Sequence, residues 1–165
     1  RAAATAAAGT AVDDRTTEHA STMPERPAAA PAARDYATVL TREDLQRWLT
    51  QLERAELIAF DTETTSLDYM QAQIVGLSFS VEPGKAAYVP LAHDYPGAPV
   101  ELDRTETLEA LRPLLEDPRR AKLGHHLKYD AHVLANHGIA LAGMRYDSML
   151  ESYVWDSVAT RHDMD

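Results

Sequence analysis

Residues 57–68 read LIAFDTETTSLD. A short apolar run of strand length ends in two acids, Asp61 and Glu63, followed by Thr64, Thr65 and Ser66. On a strand, residues i and i+2 project to one face, so the two carboxylates point together. Bare carboxylates at that range repel and raise one another's pKa, which is costly unless a cation lies between them. The bland alternative is a solvated strand end beside a polar loop. What separates the two readings is whether further acids converge on the pair.

The flanking pattern places this strand in a sheet. Upstream, TREDLQRWLTQLERA (41–55) opens with Thr41 and Asp44 as a capping box. It continues with Leu45, Trp48, Leu49 and Leu52 at helical spacing. Downstream, Val75, Leu77, Phe79 and Val81 alternate with smaller or polar residues, the period of a half-covered strand. EPGK (82–85) is a turn and AAYVPL (86–91) a returning strand. An antiparallel meander of three strands is therefore expected.

The pattern then switches to alternating helix and strand. Asp103 and Glu106 cap a helix striped by Leu108, Leu111 and Leu115, which Pro113 is expected to kink or split. AKLG (121–124) reads as a strand, and HHLKYDAHVLANHG (125–138) as a helix with Leu127, Ala131 and Leu134 on one face and Gly138 as its stop. MRYD (144–147) and SMLESYVW (148–155) read as a last strand and helix. A meander followed by βαβα defines an α/β mixed sheet flanked by helices.

The 165 residues suffice for one domain with a real core. Residues 1–35, rich in Ala, Pro and Thr, read as a flexible linker, leaving 36–165 as the folded domain. A start at Arg1 rather than Met leads to the expectation of a piece of a longer chain. There is no cysteine, which excludes disulfides and thiolate metal sites and fits a reducing cytoplasm. No window approaches the roughly 18 apolar residues of a membrane helix, so no membrane partner is expected. A net charge of -10 argues against long contacts with phosphate backbones. It is compatible with acids that recruit cations, which in turn meet a few phosphates.

A second chemical stretch is GHHLKYDAHVL (124–134), in which Asp130 falls in the first turn of a helix, where a negative group is favoured. Lys128, Tyr129 and the histidines around it suit a phosphate and a base. The seven histidines lack the spacing of a helical chelating pair and read as structural or surface groups. Asp147 and Glu151 read as a capping or solvated pair. DMD (163–165) lies at the frayed chain end.

Taken in order, AFDTETTSLD (59–68), VGLSFSVEPGKAAYVPLAHDY (75–95), LRPLLED (111–117), GHHLKYDAHVLANHGI (124–139) and YDSMLESYVWDSVATRHDMD (146–165) resemble the 3'-5' exonuclease domain of bacterial DNA polymerase I. That family belongs to the DEDD exonucleases of RNase H-like fold. The resemblance implies hydrolysis of the 3'-terminal phosphodiester of DNA with two divalent metal ions, Mg2+ or Mn2+, Zn2+ being admissible at one site. Asp61 would bridge both ions, Glu63 would bind the one that generates hydroxide, and Asp130 would hold the other. Leu67 matches a wedge against the terminal base, and Thr64 lies beside the last nucleotide. His126, Tyr129, Met149 and Arg161 match positions lining a single-strand channel. The partners implied are a single-stranded DNA 3' end and a polymerase domain of the same parent chain, in a monomer.

This chain departs from the family in two ways. His125-His126 stands where the family often has Gln-Asn. The third motif, Tyr-x-x-x-Asp, is expected beyond Asp165, so the domain is read as incomplete at its C-terminus, with three of four carboxylates and weak or no activity. A non-catalytic exonuclease-like module is the alternative. An RNA-processing relative such as RNase D is disfavoured by the polymerase-like 146–165 stretch.

Overall fold

A computed structural model of the chain describes residues 34–158 and 161–163. The expected linker therefore lies, apart from its last two residues, outside the described part. The elements run β1 (Asp35–Thr38), α1 (Arg42–Arg54), β2 (Leu57–Thr64), β3 (Ile74–Glu82), β4 (Lys85–Pro90), α2 (Arg104–Leu115), β5 (Ala121–Gly124), α3 (Leu127–Asn136), β6 (Met144–Asp147) and α4 (Ser148–Trp155). β2, β3 and β4 form the expected antiparallel meander, and β5 and β6 extend it in parallel. β1, which the sequence pattern did not announce, pairs parallel with β4. The sheet has six strands in the order β1-β4-β3-β2-β5-β6.

Alternation along β2 divides the sheet into two faces. Ile58, Phe60 and Thr62 are buried and register with Lys122, Phe79 and Leu77 on the neighbouring strands. Leu77 and Phe79 in turn oppose Val89 and Ala87. Leu45, Trp48, Leu49 and Leu52 of α1 join the same core, as do Leu108, Leu111, Leu114 and Leu115 of α2 and Leu127, Val133 and Leu134 of α3. The other face carries Ala59, Asp61 and Glu63 in cross-strand rows with Ser80, Ser78 and Gly76.

Val75 and Val81 fall out of the expected phase, and both are only partly buried. Register shifts interrupt the β2–β3 ladder after Glu63 and the β3–β4 ladder after Ser80. Ile74 takes the core position instead. At such a bulge one residue is left over, so the alternation resets. α2 runs unbroken through Pro113 where a kink or split was expected. The proline sits in the last turn, so a single ladder bond is given up near a helix end.

The helix starts follow the expected chemistry. Thr41 Oγ1 accepts from Asp44 N at 3.1 Å, and Asp103 Oδ1 from Glu106 N at 2.8 Å. Gly138 ends α3 with φ +73, a conformation glycine adopts without a steric penalty. Asp147 does more than cap its own helix. Its carboxylate accepts from Met149 N and Leu150 N of α4, and also from His126 N and Leu127 N at the start of α3. Burial alone would raise its pKa, but these four backbone donors outweigh burial and hold it below the ordinary value.

Asp147→Ala removes the caps of two helices at once. Stability is expected to fall by about 2 kcal/mol, one ordinary cap's worth for each helix. Amide exchange at Leu127 and Met149 should accelerate together; acceleration at Met149 alone would mean the shared cap is not functioning as one unit.

Candidate active site

β5 stays paired with β2 only as far as Ala59↔Leu123. Past that point the edge of β2 that faced β5 is open, and α3 begins in the gap three residues after β5 ends. Asp130, in the first turn of α3, fills it: its Oδ1 accepts from Thr62 N at 3.2 Å and from Thr62 Oγ1 at 2.7 Å. The strand thus keeps a partner for a backbone donor that β5 no longer meets. The arrangement leaves Asp130 only 2% exposed.

Asp61 and Glu63 share the opposite face of β2, as their spacing predicts. Asp61 lines a shallow cavity of about 230 Å3 with Ser78, Ser80, His125 and Ser148. Burial, followed by the charge of Glu63, raises the Asp61 pKa; the Thr62 backbone and His125 act against them. Burial also drives Asp130 up to about 6 from an ordinary 3.8; Thr62's hydroxyl lowers it and the Asp61 charge raises it further. Asp61 is therefore electrostatically linked to both other acids. As they stand, the three do not enclose a common point, and among the described residues no three acidic or histidine side chains gather closely enough to hold a metal ion.

The remaining residues expected around the site fall into three groups. Tyr129 Oη donates to the Ser66 carbonyl at 2.5 Å and lies 2.5 Å from Thr64 Oγ1, clamping the loop after β2 to α3. Leu67, the next residue of that loop, is 94% exposed. The loop is held at its base by Thr65 and Gln73 and against α3 by Asn136. His126, exposed and with φ 64, sets its ring 6.2 Å from that of Tyr129. Met149, half-buried, donates its backbone N to Asp147 Oδ1, the oxygen that also receives His126 N. Arg161 is exposed and ion-paired with Asp163 at 2.8 Å, outside this chain of contacts.

Two of the histidines read as structural or surface groups have packing roles of that kind. His137 Nε2 accepts from Ile74 N at 3.2 Å, and burial lowers its pKa. His132 stacks on Tyr69 at 4.5 Å. Thr62 was missed by sequence reading. Its signal was a polar residue on the buried side of a strand, which needs a partner.

A helix-flanked, six-stranded mixed sheet of this order is the fold of the RNase H-like exonucleases. The catalytic core of RRP6 from Trypanosoma brucei matches it with a TM-score of 0.59 at 17% identity, covering 77% of this chain and 33% of that one. Brucella melitensis NrnC with bound Mg2+ matches with a TM-score of 0.54 at 19% identity, covering 80% and 58%. Residues 36–165 match the family model described as 3'-5' exonuclease, and the chain belongs to that family, the 3'-5' exonuclease domain of DNA polymerase I. DNA polymerase I of Pseudomonas aeruginosa is 63% identical over 133 residues, which make up 79% of this chain and 15% of that protein's length.

The raised Asp130 pKa sets the sign of a pH effect. The fold favours the protonated acid, so stability from this group is greatest below its unfolded pKa near 3.8 and is lost as pH rises through about 6. Asp130→Asn keeps an oxygen acceptor for Thr62 without the charge. At pH 8 in the absence of divalent cations it should be more stable than wild type by about 2 kcal/mol, with the gap closing below pH 4. Urea melts across that range measure the difference.

Proposed function

We propose that this chain is the 3'-5' exonuclease module of a DNA polymerase I, removing nucleotides from the 3' end of single-stranded DNA with bound divalent cations. What carries the reading is one arrangement in a chain of that family: Asp61 and Glu63 on one face of β2, and Asp130 across the open edge of the same strand, with the Asp61 charge bearing on Asp130. Carboxylate oxygens that repel one another suit hard cations such as Mg2+ or Mn2+. NrnC, of like fold, holds Mg2+. Asp61 would bridge two ions, with Glu63 on one and Asp130 on the other; Zn2+ is admissible at one position. Bound there, the ions supply an activated water and charge stabilisation on the leaving oxygen.

The chain's own residues do the holding. Thr62 orients Asp130 through two hydrogen bonds. Tyr129 fixes the loop that presents Leu67, an exposed apolar side chain suited to wedge against a terminal base whatever its identity. Thr64, His126 and Met149 border the same approach, and Arg161 belongs to the channel farther along. The net charge of -10 keeps the protein's own phosphate contacts few. The polymerase domain of a longer polypeptide and a cytoplasmic, monomeric setting complete the reading. Among the described residues no helix is long and apolar enough to cross a membrane.

A second reading, a non-catalytic exonuclease-like module, draws on the absence of a three-donor metal cluster among the described residues. One experiment separates the two. A 5'-labelled single-stranded DNA is incubated with the chain in Mg2+ or Mn2+, and melting temperature is followed with and without the cation. Stepwise shortening is expected, falling at least a hundredfold in Asp61→Ala, along with a cation-dependent rise in melting temperature that the variant lacks. Unchanged cleavage by Asp61→Ala would remove the metal assignment. No cleavage and no thermal shift in wild type would favour the non-catalytic module.

A further inference from the structure

The loop between β2 and β3, residues 65–73, is clasped along the length of α3. Near the helix start, Tyr129 Oη meets the Ser66 carbonyl and Thr64 Oγ1. One turn on, His132 stacks on Tyr69. At the last residue of the helix, Asn136 Nδ2 donates to the carbonyls of Tyr69 at 2.7 Å and Ala72 at 3.1 Å. A side-chain amide nitrogen has two hydrogens, and these two carbonyls take both. Positions 129, 132 and 136 are spaced i, i+3 and i+7, which puts them on one face of the helix. Asp130 lies between them in sequence but is turned to Thr62.

The loop's own bonds make it stiff enough to be aimed. At its base Thr65 N donates to the Gln73 carbonyl at 3.0 Å, and Gln73 N to Thr65 Oγ1 at 3.0 Å. Asp68 turns it: the carboxylate accepts from Met70 N and the Gln71 side chain, and the carbonyl accepts from Gln71 N and Ala72 N. Ala72 is fully buried beneath the turn, whereas Leu67 is 94% exposed. The bonds thus order the backbone that carries Leu67 without covering its side chain. Where the loop rejoins β3, His137 accepts from Ile74 N, so the helix end holds the exit as well.

We propose that Asn136 is a positioning residue for nucleotide removal: by holding the Tyr69 and Ala72 carbonyls, it sets where Leu67 meets the terminal base relative to Asp130, which the same helix carries. This rests on the exonuclease reading above. Asn136 lies about 9 Å along the helix axis from Asp130, and it is exposed. It therefore acts through the loop and not on the reacting atoms, and its replacement leaves the core untouched. The role requires that its effect on the reaction depend on the Leu67 side chain.

The test is a cycle of wild type, Asn136→Ala, Leu67→Ala and the double variant in the removal of 3' nucleotides with Mg2+ or Mn2+, with melting temperatures alongside. Asn136→Ala is expected to lower kcat/KM about tenfold with the melting temperature unchanged. In the Leu67→Ala background the same change should cost about twofold or less, because no side chain is left to aim. Asn136→Asp, which keeps the size and loses both donors, should repeat the pattern. An unchanged kcat/KM in Asn136→Ala overturns the proposal. So does a loss of the same size in both backgrounds, which is what a purely structural role would produce. A wild-type chain that removes no nucleotide with any cation overturns the exonuclease reading instead, and the clasp is then read from amide exchange. Faster exchange at Gln71 and Ala72 in Asn136→Ala, with the amides of α3 unchanged, upholds the clasp, and unchanged exchange at both overturns it.

Discussion

The pair of hydrogen bonds from Thr62 to the Asp130 carboxylate is the point at which sheet, helix and site meet. A central strand that loses its neighbour exposes backbone donors, and this fold meets one of them with an acid from the adjoining helix. The bonds dock the first turn of α3 against the edge of β2 that β5 leaves. They also bury a carboxylate beside another carboxylate, an arrangement that opposes folding. The site is therefore made of groups the fold would be more stable without, a tension expected where chemistry rather than stability dictates the residues.

Much of this was legible in the sequence where the physics is local. The cap residues Thr41 and Asp103 hydrogen-bond their own helix starts, so their signal needs nothing distant. The meander was legible because Leu77 and Phe79 alternate against polar neighbours on a half-covered sheet. β1 was not, because none of its four residues is buried and its partner strand lies far along the chain. The phase at Val75 and Val81 was misread because a bulge is set by pairing and not by composition. Asp61 and Glu63 announced a shared face through spacing alone. Where Asp130 points was beyond sequence: a helical acid near an N-terminus is equally consistent with a simple dipole role, and only the departure of β5 makes it a strand partner.

The same contrast separates the two sides of the sheet. The side under α1, α2 and α3 is closed by leucines and by Lys122, whose ammonium group, fully buried, donates to the carbonyls of Asp117 and Arg120. Burial lowers the Lys122 pKa to about 8, which makes it a tolerable core residue only because the turn carbonyls receive it. The other side is small and polar, with Ala59, Ser78, Ser80 and Gly76 flanking the acids. Small side chains there leave open space beside the acids that a packed face would fill. Selection for chemistry thus shows in what is absent from that face as much as in the acids on it.

Asp147 joins two helices through one carboxylate, and this has a mechanical consequence. α3 supplies Asp130 and Tyr129, while α4 buries none of its residues and displays Leu150, Val154 and Trp155 outward. The starts of the two helices therefore share one carboxylate, and neither can be moved from it without giving up backbone hydrogen bonds. The acid of α3 and the exposed face of α4 are thus tied to a single side chain.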